Sequence, residues 1–224
     1  TIYLKDYRPP EYLIQAVDLN FILAAEDTRV VGNLKMSRNP ESKTQGEALT
    51  LLGEGLVFKS IVLDGIMLTE GEFQVDDEKL VIASVPQDRP FSVRVENHVN
   101  PKANTALEGL YLSNGMLCTQ CEAEGFRKIT YFIDRPDVMS RFTTTIIGDR
   151  ELYPVMLSNG NKVAYGQLKN NRHWVTWEDP FNKPCYLFAL VAGQLQVIED
   201  SFVTMTGRSI ALEIFVEAQD ADKC

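Results

Sequence analysis

The sequence predicts an all-β fold, a large antiparallel β-sheet or sandwich with at most one or two short helical turns. Three observations carry that prediction. The early chain alternates apolar and polar residues with a period of two, as a half-buried strand requires. Short apolar segments then recur about every ten residues between turn-forming residues, the rhythm of a sandwich or curved sheet. No long stretch repeats its apolar residues at the helical period of about 3.6.

Taken in order, Val17, Leu19, Phe21 and Leu23 share one face, with Asp18 and Asn20 between them. After the polar Ala25-Glu26-Asp27-Thr28, a second run covers 30–36 and predicts a hairpin. Residues 37–47 are polar and carry Pro40 and Gly46, which reads as a loop. Strands are predicted at 56–63, 66–68, 73–75, 80–83 and 91–96, punctuated by Asp64-Gly65, Glu70-Gly71 and Asp76-Asp77. Further strands are predicted at 142–147, 155–157, 162–168, 174–177 and 186–192, and a final pair at 202–205 and 210–216 turns on Thr206-Gly207-Arg208. Asn159-Gly160 is read as the strongest hairpin signal, because a two-residue hairpin turn needs positive φ at both central residues. The helical candidate is 136–142, with Asp134 placed to cap it and Pro136 near its first turn. No repeat, low-complexity tract or linker divides the chain, so residues 1–224 read as a single domain.

Composition narrows the function. The 224 residues are 45% hydrophobic and 24% charged, as in an ordinary globular protein, and carry a formal net charge of −9. That balance excludes nucleic acid, whose phosphates need clustered Lys and Arg, and equally an anionic membrane surface. It suits solubility and mildly favours a cationic ligand. No apolar run approaches the ~20 residues that span a bilayer. The segment from Thr1 to Arg8 has no apolar signal core and no initiator Met, so the chain reads as trimmed or processed. Four cysteines (Cys118, Cys121, Cys185 and Cys224) are too few for a disulfide scaffold and read as reduced thiols of a cytoplasmic protein.

No complete catalytic site is visible. The two histidines, His98 and His173, cannot form an H-E-x-x-H pair. Cys118-Thr119-Gln120-Cys121 is a C-x-x-C without the second pair zinc needs or the βαβ setting a redox motif needs. There is no G-x-S-x-G elbow and no glycine-rich phosphate loop. The segment Cys118-Thr119-Gln120-Cys121-Glu122-Ala123-Glu124-Gly125-Phe126-Arg127 stands apart. If it is extended, Gln120, Glu122 and Glu124 share a face, and an amide with two carboxylates suits an ammonium group. A solvated strand edge whose charges deter aggregation has the same pattern.

This block, together with Asn104-Thr105-Ala106-Leu107-Glu108-Gly109-Leu110-Tyr111, closely resembles the bacterial aminopeptidase N family of gluzincin zinc aminopeptidases. Ile133-Asp134-Arg135-Pro136-Asp137-Val138, Leu157-Ser158-Asn159-Gly160-Asn161, Asp179-Pro180-Phe181 and the run from Lys183 to Gly193 agree with it too. The resemblance runs from about Tyr7 to the end and is densest from Asn104 onward. It implies a four-domain enzyme of which this chain is the first, a large saddle-shaped β domain. In that family the next domain carries H-E-x-x-H, a distant zinc-ligating Glu and G-A-M-E-N, none of which occurs here.

By the same resemblance, the family's Q-x-E element falls on Gln120 and Glu122. Glu122 would help bind the substrate's free α-ammonium, and Gln120 would line the pocket for the first side chain. Glu124 and Arg127 receive no substrate role. The chain itself would then hold no catalytic residue, no metal ligand and no cofactor, and would be inactive alone. Zinc and a glutamate general base would belong to the catalytic domain of the same polypeptide, with peptide N-termini as substrates. A non-catalytic β-sandwich interaction module is the alternative. A lipid- or sugar-binding β domain would need an aromatic-lined cavity, whereas Trp174 and Trp177 read as core or edge packing.

Overall fold

Seventeen strands account for most of the chain in the computed structural model, which describes residues 3–44, 46 and 48–224. Thr1 and Ile2 of the N-terminal segment, and Gln45 and Glu47 of the expected loop, lie outside the described residues. In chain order the strands are β1 (Tyr12–Ile22), β2 (Thr28–Arg38), β3 (Leu49–Leu52), β4 (Val57–Leu63), β5 (Ile66–Met67) and β6 (Phe73–Val75). There follow β7 (Lys79–Ile82), β8 (Phe91–Val99), β9 (Gly109–Ser113), β10 (Met116–Gln120), β11 (Met139–Asp149) and β12 (Val155–Ser158). The last five are β13 (Asn161–Leu168), β14 (Arg172–Pro184), β15 (Leu190–Gly193), β16 (Gln196–Val203) and β17 (Ser209–Val216). The all-β class is as the sequence predicts, and the only helix among the described residues is in short 3-10 turns.

Eight strands form one large sheet in the order β13-β14-β11-β1-β2-β8-β4-β5. Smaller sheets are β12-β15-β10-β9 and β3-β7-β6, and β16 pairs with β17 alone. The large sheet is not wholly antiparallel: β1 and β11 run parallel, Ala16 opposite Arg141 through Ile22 opposite Ile147. The chain leaves this sheet after β8, builds strands of the smaller sheets, and returns along the free side of β1 in the same direction.

Val17, Leu19, Phe21 and Leu23 are buried on one face, as their alternation predicts. Upstream the parity changes, and Tyr12 and Ile14 are the buried pair. The register shifts between Ile14 and Ala16, and the extra residue turns every later side chain over. At the centre of the core, Phe126 packs edge-on against Phe132 and Phe188 with ring centroids 4.8 and 5.4 Å apart. Burying each such ring stabilises the fold by about 1.5–3 kcal/mol, and the edge-to-face geometry adds to that.

Three local expectations are corrected. Residues 136–142 do not form a helix: β11 begins at Met139, and the Ser140 hydroxyl donates to the Ile14 carbonyl at 2.7 Å. Within 186–192, Tyr186 and Leu187 lie in a 3-10 turn and the strand starts at Leu190. Asn159-Gly160 makes a corner and not a hairpin, since β12 pairs with β15 while β13 pairs with β14 in the other sheet. Gly160 has φ +88°, and a Cβ there would collide with the Glu178 carbonyl, so the corner needs glycine as strictly as a hairpin would. The tight Asn-Gly hairpin is Asn114-Gly115, φ +49° and +81°, joining β9 to β10.

Candidate functional site

That hairpin delivers the segment the sequence singled out. β10 is held on both sides, by β9 and by β15. The Thr119 hydroxyl clips it further, accepting from the Leu190 amide at 2.8 Å. The strand ends at Gln120. The Gly125 amide then donates to the Cys121 carbonyl at 2.8 Å, and a 3-10 turn follows at Phe126–Lys128. Gly125 closes the loop because a Cβ there would collide with the Gln120 carbonyl and crowd Cys121.

The extended alternation expected to align Gln120, Glu122 and Glu124 is therefore absent: only Gln120 lies on the strand, and residues 122–125 are a turn with a cis bond between Glu122 and Ala123. All three residues are nevertheless exposed, Gln120 at the strand end and Glu122 and Glu124 on the turn that follows. The Gln120 Nε2 donates to the Glu122 carbonyl at 3.0 Å, bracing the turn from inside. Glu124 approaches Arg127 at 3.4 Å. Among the described residues the Glu122 carboxylate has no hydrogen-bond or ion-pair partner.

Beneath the turn lies a buried base. Phe126 and Ile129 are fully buried. Arg127 donates from its backbone amide (3.1 Å) and Nε (2.9 Å) to Asp134 Oδ2, and from Nη2 to the Asp134 carbonyl (3.2 Å). Cys185 Sγ lies 3.0 Å from the other carboxylate oxygen, and Asp134 is only 4% exposed. Asp134, expected as a helix cap, is thus the anchor of this turn. One step further on, Thr130 donates to the buried Asn97 amide oxygen at 2.9 Å, and Asn97 donates to the Ile129 carbonyl at 3.0 Å. Phe132 exchanges both backbone hydrogen bonds with Leu52. Strand β8 and the end of β3 thereby hold the stretch that follows the turn.

The electrostatics favour a cation. Lys128 is engaged by Glu108 at 2.6 Å and Glu54 at 3.2 Å. Four carboxylates (Glu54, Glu108, Glu124 and Asp134) pair with two cations, Arg127 and Lys128, and with the unpaired Glu122 this region carries an excess of negative charge.

The remaining candidates are occupied elsewhere. His98 Nδ1 sits 2.6 Å from Asp27, and His173 Nε2 donates to the Tyr153 carbonyl at 2.8 Å. Burial pushes the Cys118 and Cys185 thiols up and the Cys121 thiol up to about 12, the reverse of what a thiolate ligand or nucleophile needs. Among the described residues no group of three or more His, Cys, Asp or Glu could hold a metal ion, so this donor set does not fit zinc. Trp177 packs against the core and donates to the Met156 carbonyl at 3.1 Å, while Trp174 lies over Gly166. Together with Tyr165 and Phe215 they line a cavity of about 370 Å³.

Among the described residues the fold is mostly β, carries an exposed carboxylate-bearing turn and has no cluster that could hold a metal ion. Residues 9–187 match the Peptidase M1 N-terminal domain, and the chain belongs to that family. It is 49% identical over 221 residues to aminopeptidase N of Escherichia coli (strain K12), covering 99% of this chain and 25% of that protein. Against aminopeptidase N of Caulobacter vibrioides it is 48% identical over 222 residues, again 99% of this chain and 25% of the relative. Among solved structures, Legionella pneumophila aminopeptidase A in complex with aspartic acid superposes with a TM-score of 0.93 at 34% identity, over 99% of this chain and 26% of that one. An M1 zinc metallopeptidase of Deinococcus radiodurans shares the fold, with a TM-score of 0.78 at 14% identity over 94% of this chain and 49% of that one. The chain spans about a quarter of the length of the curated relatives it matches.

Proposed function

We propose that this chain, over residues 1–224, is the N-terminal substrate-recognition domain of a cytoplasmic zinc aminopeptidase that removes N-terminal amino acids from peptides. The observation that carries this reading is the Glu122 carboxylate, exposed and unpartnered on a turn whose base is buried. An exopeptidase must recognise the chain end, and the α-ammonium marks it with three hydrogen-bond donors that a free carboxylate can accept from. Gln120, braced against the Glu122 carbonyl, keeps its amide oxygen for the first residue of the substrate. The zinc and the general base of such an enzyme would come from the remainder of the polypeptide, in keeping with the quarter of the relatives' length covered here.

The test is Glu122→Ala in the full-length enzyme. Charge-assisted hydrogen bonds contribute about 1.5–3 kcal/mol, so KM for an aminoacyl-arylamide should rise by roughly one to two decades while zinc content stays unchanged. An unchanged kcat/KM would remove Glu122 from this role. The isolated chain should hydrolyse no such substrate with zinc added, and turnover by a clean preparation would contradict the division of labour.

A further inference from the structure

We propose that Asp134 is a positioning residue for the ammonium grip, acting by sequestering Arg127 so that Glu122 stays free. The inference rests on the reading of Glu122 just given. Arg127 is five positions from Glu122, and its guanidinium is the nearest cation in sequence to the turn. Left to itself it would pair with the turn's carboxylates, and Nη2 already stands 3.4 Å from Glu124. Asp134 prevents a full pairing there. It takes the Arg127 Nε and backbone amide on one oxygen, takes Nη2 on its own carbonyl, and is itself held by Cys185 on the second carboxylate oxygen. At 4% exposure this carboxylate cannot satisfy itself with water, so the three-way arrangement is what pairs its charge, while the Arg127 side chain stays partly exposed. Geometry and charge then serve one end: the fork that anchors the turn also commits the guanidinium Nε and Nη2 to Asp134.

Removing the Asp134 charge should release Arg127 toward Glu124 and Glu122 and quench the grip. In the full-length enzyme Asp134→Asn is expected to raise KM for an aminoacyl-arylamide about tenfold, one decade for a single partly screened contact, with kcat within about twofold. Adding Arg127→Gln to Asp134→Asn should bring KM back to within about threefold of the parent, because the freed cation is gone. A purely structural role would make that double variant no better than the single one. Glu122→Ala, measured alongside, separates the two levels. If it leaves KM unchanged, the function reading and this proposal both fall. If it raises KM while Asp134→Asn does not, or the double variant does not recover, only the sequestering role falls. Should Asp134→Asn fail to fold, the Arg127 pair decides. Arg127→Lys, which cannot make the fork and keeps a mobile charge, should raise KM more than Arg127→Gln, and the opposite order would overturn the proposal.

Discussion

The turn at 121–128 and the hairpin of β16 and β17 invert one another. The turn shows carboxylates to solvent from a base in which Phe126 and Ile129 are fully buried. The hairpin shows Val197, Phe202, Val203, Leu212 and Ile214 to solvent, none of its strand residues is buried, and its strands pair only with each other. What differs is long-range attachment: the turn is tied to β3, β8 and the segment before β15, the hairpin to little beyond itself. A functional group is held in place by what is buried behind it, and an isolated two-stranded ribbon gains little stability from its own ladder.

The contrast can be broken or sharpened by measurement. Phe126→Ala should have the largest effect, destabilising the chain by about 3–5 kcal/mol in urea unfolding, since it empties the aromatic cluster beneath the turn. A loss below about 1 kcal/mol would mean the base is not packed as described. Thr130→Val should cost about 1–3 kcal/mol by leaving the buried Asn97 amide short of a partner, with the same readout. The buried thiols give a pH signature. Because Cys121 is raised from an ordinary value of 9.0 to about 12, and Cys185 is raised also, folding favours the protonated thiols. Their contribution is complete below pH 9 and is lost as pH rises from 9 toward 12. The urea midpoint should fall over that range, and Cys121→Ala should flatten the fall. The smallest effect belongs to the hairpin: Ile214→Thr should change stability by no more than about 0.5 kcal/mol. Amides of 196–216 should exchange well before those of 139–149, and equal protection would end the comparison.

Much of the fold was legible because half-buried strands announce themselves by alternation, as Val17, Leu19, Phe21 and Leu23 do. The bulge before Ala16 was not, since one extra residue leaves no compositional mark. Asn159-Gly160 has positive φ at Gly160 alone and is not a hairpin, because turn chemistry specifies a local backbone shape and not which strands it joins. Asp134 and Pro136 mimicked a helix start, whereas Asp134 is committed to Arg127 and Cys185, the latter 51 positions away. The site was legible only as a motif: Gln120 and Glu122 were named, but the alternation thought to align them ends at Gln120. Asn97, Thr130, Asp134 and Cys185, which build its base, share no local pattern and could be joined only by the fold.

The parallel pairing of β1 with β11 carries a consequence for how the molecule is made. Partners such as Ala16 and Arg141 stand 125 positions apart, so the middle of the largest sheet closes late. On a ribosome adding about 5–20 residues per second, β1 waits roughly 6–25 s with one edge unpaired. During that interval the unpaired N–H and C=O groups along the β1 edge are a template for wrong strand partners. High contact order of this kind also slows refolding from denaturant.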